Sequence, residues 1–226
     1  MLEHLAGIFT PRTLLSLWEG TTVTITVTLI SGSAGLLLGL FAALGRMSGV
    51  WILRALSLAY IEFFRGTPLL VQLFIIYFGL PSLPFISPMP AYWAGVLGLT
   101  LYIGAYYAEI IRGAFNAVPF GQTEASKALG LGTVQTYIFV LVPQATRLAV
   151  PALGNQFISL IKDSTLVSVI TVSELLLTGR NVISRTFEPM TVYLAIALIY
   201  LVLSNFSAFL LRIVEKKLDA PYRKAA

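Results

Sequence analysis

Two long intervals of this chain, residues 20–45 and 66–108, contain no Asp, Glu, Lys, Arg or His. A helix needs about 20 apolar residues to cross the hydrocarbon core of a bilayer, and both intervals exceed that. Composition points the same way, with 57% of the 226 residues hydrophobic and 11% charged. Soluble domains carry roughly 25% charged residues, so this chain lacks the polar groups to cover a globular surface. The bilayer is its solvent. The expected fold is all-α, a polytopic membrane helix bundle forming one transmembrane domain over residues 1–226.

About five spans are legible: residues 21–44, 55–80, 91–111, a more broken one over 148–177, and 190–214. Between the second and third lies PSLPFISPMP, whose prolines forbid a continuous helix and predict a short connection. The basic residues set the orientation. Arg46, Arg54, Arg112, Lys127, Arg147, Arg212, Lys216, Lys217, Arg223 and Lys224 fall on one side, against Arg12, Arg180 and Arg185 on the other. That asymmetry places the N-terminus outside and the C-terminal tail, about 215–226, in the cytoplasm. The net charge of +5 is thus a topology signal, and nucleic acid is not an expected partner. Ser33-Ala34-Gly35 offers small residues, but no basic region precedes the first span and its apolar run continues to Leu44, so an uncleaved helix is expected.

The ionisable inventory excludes most intramembrane chemistry. His4 is the sole histidine, and Asp163 and Asp219 are the only aspartates, with Asp219 in the tail. A Ser/His dyad therefore lacks its base, and a buried aspartyl pair cannot form. Without cysteine or a second histidine, no metal site is expected. No Gly-Lys dipeptide occurs, so the chain has no phosphate-binding Walker loop, and any nucleotide that powers it is bound by another chain.

The charges inside the spans then carry the information, because a charge in hydrocarbon is costly and faces a cavity or a partner. Glu62 and Arg65 are three residues apart and are expected to pair on one helix face. Arg65 lies eleven residues past Arg54, about 16 Å into the bilayer. Gly66-Thr67-Pro68 follows directly and loosens the helix at that depth. Broken helices near the midplane are where transporters bind solutes. A structural ion pair beside a proline kink is the competing explanation. In the fourth span Gln156 and Asp163, seven apart, share a face, and Lys162 and Asp163 fall near mid-span, followed by Ser164 and Thr165. Arg65, Gln156 and Asp163 could pair with the two charges of an amino acid; alternatively Lys162 and Asp163 bridge to Glu62 and Arg65. Gly35 and Gly39 form a GxxxG element suited to close helix packing.

Residues 124–143, EASKALGLGTVQTYIFVLVP, form a polar island between the membrane stretches, which predicts a docking surface for a cytoplasmic partner. Glu124-Ala125-Ser126, three residues, Gly130, nine residues, then Val140-Leu141-Val142-Pro143 resembles the EAA loop of importer-type ABC transporter permeases. Ser126 stands where the second alanine is usual. Arg65 to Leu69 (RGTPL), Tyr106 to Arg112 (YYAEIIR), Gly121 to Ala125 (GQTEA), Pro143 to Ala145 (PQA) and Leu160 to Leu166 (LIKDSTL) look like the polar amino acid branch, which includes histidine, glutamine, arginine and cystine permeases.

The resemblance implies a permease of the bacterial cytoplasmic (inner) membrane that works by alternating access and is not itself an enzyme. Its coupling loop, about 114–146, would place Glu124, Ala125 and Gly130 in a groove of a cytoplasmic ABC ATPase dimer that binds ATP and magnesium, with Pro119 opening the coupling helix and Gly130 letting backbones approach. A periplasmic or surface-anchored amino acid-binding protein and a second permease subunit, identical or a sister chain, complete the expected assembly. The solute pocket carries over to Arg65, Thr67, Gln156 and Asp163, and a neutral Gln156 argues against a strictly basic solute. Two alternatives remain: an ion-coupled carrier using Glu62 or Asp163, and a membrane scaffold that uses the loop only for binding.

Overall fold

The computed structural model describes residues 8–223, with side chains to Leu218; His4 and Lys224, and the side chains of Asp219 and Arg223, lie outside the described part. Helix α1 spans Pro11–Met47. Thr10 caps it by accepting from the Thr13 amide, and Pro11 sits in the first turn, where a missing amide costs nothing. Its 37 residues reach about 55 Å, longer than the expected 21–44 span and longer than the hydrocarbon core. Helix α4, Ala91–Asn116, lies against α1 in the most extensive helix pair of the bundle.

That contact explains the glycines. A Cβ on Gly39 would meet Tyr107 Cβ at 2.7 Å and the Gly104 carbonyl at 2.8 Å, and Gly35 abuts Ile103. The GxxxG element therefore packs α1 on α4 within one chain. Along the same helix, buried Thr21, Thr24 and Thr28 return their hydroxyls to the carbonyls of Leu17, Gly20 and Thr24. Buried Ser31 donates across to the Val96 carbonyl at 3.2 Å. The polar groups of an apolar helix are thus satisfied locally, as hydrocarbon requires.

The second span is not continuous. Helix α2 (Trp51–Gly66) and helix α3 (Leu69–Phe74, prolonged by tighter and looser turns to Ser82) meet at 107° across Thr67-Pro68. Pro68 lacks an amide for the ladder and biases Thr67 to an extended conformation, which is what it adopts (φ −118°, ψ 149°). Residues 83–90 are then non-helical, in keeping with the prolines. Among the described residues, four helices are long and apolar enough to cross a membrane, or five if the bent pair counts as one span.

After α4 comes α5, Phe120–Ala128. A short turn at Thr133–Gln135 and a π-helical stretch, Thr136–Leu141, lead into α6, Val142–Asp163, and a 3-10 segment, Ser164–Ile170. The membrane stretch expected over 148–177 thus runs over Thr133–Ile170 and ends sooner. Thr171 takes a positive φ of 68° and reverses the chain into α7, Leu175–Thr186, before the final α8, Pro189–Arg223. Ser164 and Thr165 donate to the Ile161 and Lys162 carbonyls at 2.7 Å, satisfying the ladder where it tightens. The main core gathers Val27, Leu69, Leu73, Leu99, Ile103, Leu160 and Ile170 from α1, α3, α4, α6 and the 3-10 segment. Helix α8 is apolar and buries little, a surface suited to lipid.

Candidate functional site: a polar file and a coupling helix

The bend at Thr67 is locked from inside. Gln72, one turn into α3, is 2% exposed, and its Nε2 approaches the Phe64 carbonyl (2.9 Å), the Thr67 carbonyl (3.1 Å) and the Thr67 hydroxyl (2.9 Å). The Thr67 hydroxyl donates in turn to the Phe63 carbonyl at 2.7 Å. One amide thus answers the carbonyls that the missing helix turn leaves open. Thr67, expected as a solute ligand, has its hydroxyl engaged in this lock. Gln72 was not anticipated; a lone glutamine four residues after a Gly-Thr-Pro break was the available signal.

Arg65 does not pair with Glu62. It reaches from the end of α2 to Glu109 on α4 (3.8 Å), and its guanidinium lies 5.4 Å from the centre of the Tyr106 ring. Glu62 is exposed and forms no ion pair among the described residues. The reason is the bend: at the last turn of α2, the long arginine side chain swings toward α4, where a carboxylate is already held. Arg112 holds Glu109 through two hydrogen bonds, Nε to Oε1 at 2.9 Å and Nη2 to Oε2 at 2.7 Å. Such bidentate pairs are geometrically well defined.

From this trio a polar file runs along α4. The Tyr106 ring contacts Tyr102 with centroids 4.9 Å apart, and Asp163 on α6 lies within electrostatic reach of Tyr102. Asp163 is half-buried at the last α-helical turn, beyond the mid-span position expected for it. Neither it nor exposed Lys162 makes an ion pair among the described residues, so no bridge to Glu62 or Arg65 forms within the chain. Gln156 is half-buried on the same face of α6, the face whose Ala145, Ala149 and Leu160 are buried. Helical rise puts Gln156 about 10 Å from Asp163, on the Arg65 side of the file. Of the four expected solute residues, Gln156 and Asp163 thus share one face of α6, while Arg65 and Thr67 stand at the bend between α2 and α3.

At the Arg112 end of α4 stands α5. Pro119 precedes its first residue, and Ser126 is its buried anchor, donating to the Gln122 carbonyl at 2.6 Å. The Gln144 amide donates to Gln122 Oε1 at 3.1 Å, fastening α5 to the start of α6. Glu124 and Ala125 are exposed, flanked by Phe120 and Leu129 at 73% and 82% exposure. The helix closes in a Schellman motif: the Gly130 amide donates to the Lys127 carbonyl (2.9 Å) and the Leu131 amide to the Ser126 carbonyl (3.0 Å). Gly130 has φ +78°, and a Cβ there would meet nothing within 4 Å. Within this chain its glycine is required by the left-handed turn, a reason other than close backbone approach.

Residues 35–220 match the family model described as "binding-protein-dependent transport system inner membrane component". The chain belongs to this family. It is 38% identical over 200 residues to the glutamine transport system permease protein GlnP of Escherichia coli, covering 88% of this chain and 91% of that protein. The probable amino-acid permease protein YxeN of Bacillus subtilis is 42% identical over 186 residues, covering 82% and 83%. A solved amino acid ABC transporter with histidines superposes with a TM-score of 0.86 at 38% identity, over 91% of this chain and 95% of that one. The inward-facing MetNI methionine transporter shares the fold, with a TM-score of 0.79 at 20% identity. The chain is accordingly a membrane-embedded permease subunit of an ABC importer, a transport component whose ATPase is a separate chain. A partner ATPase and a solute-binding protein belong to that family identity, and nothing supports the ion-coupled carrier.

Proposed function

We propose that this chain carries polar amino acids through the membrane and is driven by an ABC ATPase dimer docked on α5. The observation that carries the reading is the line of polar groups formed by Arg65, Tyr106 and Tyr102, with Asp163 within electrostatic reach of Tyr102. An amino acid holds its carboxylate and ammonium on one carbon, and it passes along this line of groups. Asp163 with Tyr102 receives the ammonium, while Arg65 and Gln156 receive the carboxylate and side chain, with Glu109 competing for Arg65. Thr67 contributes the backbone of the bend.

Glu124, Ala125 and the Gly130 turn form the ATPase contact, with Phe120 and Leu129 as its apolar flanks. ATP and magnesium stay in the ATPase, and a periplasmic or surface-anchored binding protein delivers solute to the opposite face. The N-terminus faces out and the C-terminus the cytoplasm. This sidedness is supported by Arg46, Arg54 and Arg112 lining one cavity while Arg12 and Arg185 line another between α1 and α7. Two permease subunits, identical or sisters, share the ATPase dimer.

The test is ATPase activity of the lipid-reconstituted complex, with its binding protein, across a panel of amino acids. Stimulation by one loaded binding protein establishes the reading and names the solute. Uptake that persists without the ATPase and collapses with an ion gradient overturns it.

A further inference from the structure

Three arginines from three helix ends converge at the α5 side of the bundle. Arg46 ends α1, Arg54 begins α2 and Arg112 lies near the end of α4; together with Ser48, Asn116 and Tyr137 they line a cavity of about 490 Å³. The Nε of Arg46 is buried and has no hydrogen-bond partner in the protein. Glu109, whose carboxylate is shared between Arg112 and Arg65, does not line the cavity. No acidic residue lines it, so the site carries an excess of positive charge.

We propose that this cavity binds the phosphate of an anionic phospholipid. Guanidinium groups match phosphate oxygens in paired geometry, and basic pockets between helix ends at the cytoplasmic interface hold acidic headgroups. The neighbouring surface fits acyl chains rather than a soluble anion. Val50, Trp51, Ile52 and Leu53 form an exposed apolar turn beside the arginines, with Trp51 at 74% exposure, a side chain that settles at the headgroup level. Tyr137 and Leu141 in the wall belong to the π-helical stretch that follows α5. A lipid seated here ties the ends of α1, α2 and α4 to the coupling segment, so occupancy braces the part that receives force from the ATPase.

The inference rests on the inner-membrane reading, yet its test does not depend on sidedness or on the solute. The purified permease–ATPase complex is delipidated and equilibrated with phosphatidylglycerol or phosphatidylcholine, and retained lipid per permease is counted by native mass spectrometry. Phosphatidylglycerol should be retained about tenfold better than phosphatidylcholine. The Arg46→Gln/Arg54→Gln pair should erase that preference, and Arg46→Lys/Arg54→Lys should keep most of it, which separates lost charge from lost folding. Equal retention of the two lipids, or an unchanged preference in the glutamine pair, overturns the proposal. So does inorganic phosphate binding with the same variant sensitivity when no phosphatidylglycerol is retained, because the ligand is then a free anion.

Discussion

Glu174 is the most deeply committed polar group in the bundle, and its replacement should be costly. It is 0% exposed, caps α7 by accepting from the Leu176 amide (2.9 Å) and the Leu177 amide (2.8 Å), and accepts from the Tyr200 hydroxyl of α8 at 2.8 Å. The adjacent Leu175 amide donates to Thr24 of α1 at 3.1 Å, so three helices meet at this point. In Glu174→Gln one carboxylate oxygen becomes an NH2 group. It must face either the Leu177 amide or the Leu176 amide with the Tyr200 hydroxyl, so at least one bond is lost and a buried donor is left unpaired. A lost bond of about 0.5–1.5 kcal/mol and a buried unpaired donor at about 1–3 kcal/mol together give a destabilisation of roughly 3 kcal/mol. At about 2–4 °C per kcal/mol for a chain of this size, the melting temperature should fall by roughly 6–12 °C. Tyr200→Phe removes one bond and leaves the cap, so about a third to a half of that loss is expected. Thermal unfolding of the purified complex, followed by fluorescence-detected size exclusion, measures both. A Glu174→Gln complex that melts within 2 °C of wild type, on the same scale, would refute the claim that this carboxylate joins the helices.

Four further outcomes follow from the geometry. Glu124→Lys should lower ATPase co-purification and uptake together, by several-fold, while membrane insertion stays normal, because a reversed charge at a docking surface is repelled; normal uptake removes α5 from the coupling. Gly130→Ala should strain the left-handed turn by roughly 1–2 kcal/mol and reduce coupled transport, with Gly130→Asn milder, as seen in ATP hydrolysed per solute imported; equal behaviour of the two denies the turn its role. Gln72→Leu strips the bend of its donor and should cost about 2–3 kcal/mol in thermal unfolding, with slower uptake; an unchanged melting curve makes the lock dispensable. Asp163→Asn should raise the KM for import or alter solute choice with ATPase docking preserved, and unchanged uptake kinetics assign Asp163 a purely structural part.

What was legible in the sequence was whatever the bilayer or a fixed spacing dictates. Charge-free runs gave away α1 and α4, and the Glu124-to-Pro143 spacing gave away the family. Gly66-Thr67-Pro68 marked the bend in kind but not in degree, because the 107° turn depends on Gln72 answering the freed carbonyls five and eight residues back. The Glu62–Arg65 pairing failed for a similar reason. Spacing along one helix ranks near neighbours, whereas Arg65 chose Glu109, 44 residues away, already oriented by Arg112. Glu174 sat in a stretch read as part of the fourth span, and its value as a cap appears only once Thr171 reverses the chain.

The contacts around Glu109 also indicate where the bundle can change shape. Arg112 holds this carboxylate by two short bonds within one helix turn, while Arg65 approaches the same group only to 3.8 Å from across the bend. A rearrangement that displaces α2 relative to α4 would break the longer contact first and leave the shorter pair intact. The bend itself would travel as a unit, since Gln72 binds both of its arms. Helix α4 carries Tyr102, Tyr106 and Glu109 and ends at Asn116, four residues before α5 begins at Phe120. Were force delivered at α5, it would reach Glu109 through one continuous helix, α4, and the contact to Arg65, already shared and already long, is the least costly one to break.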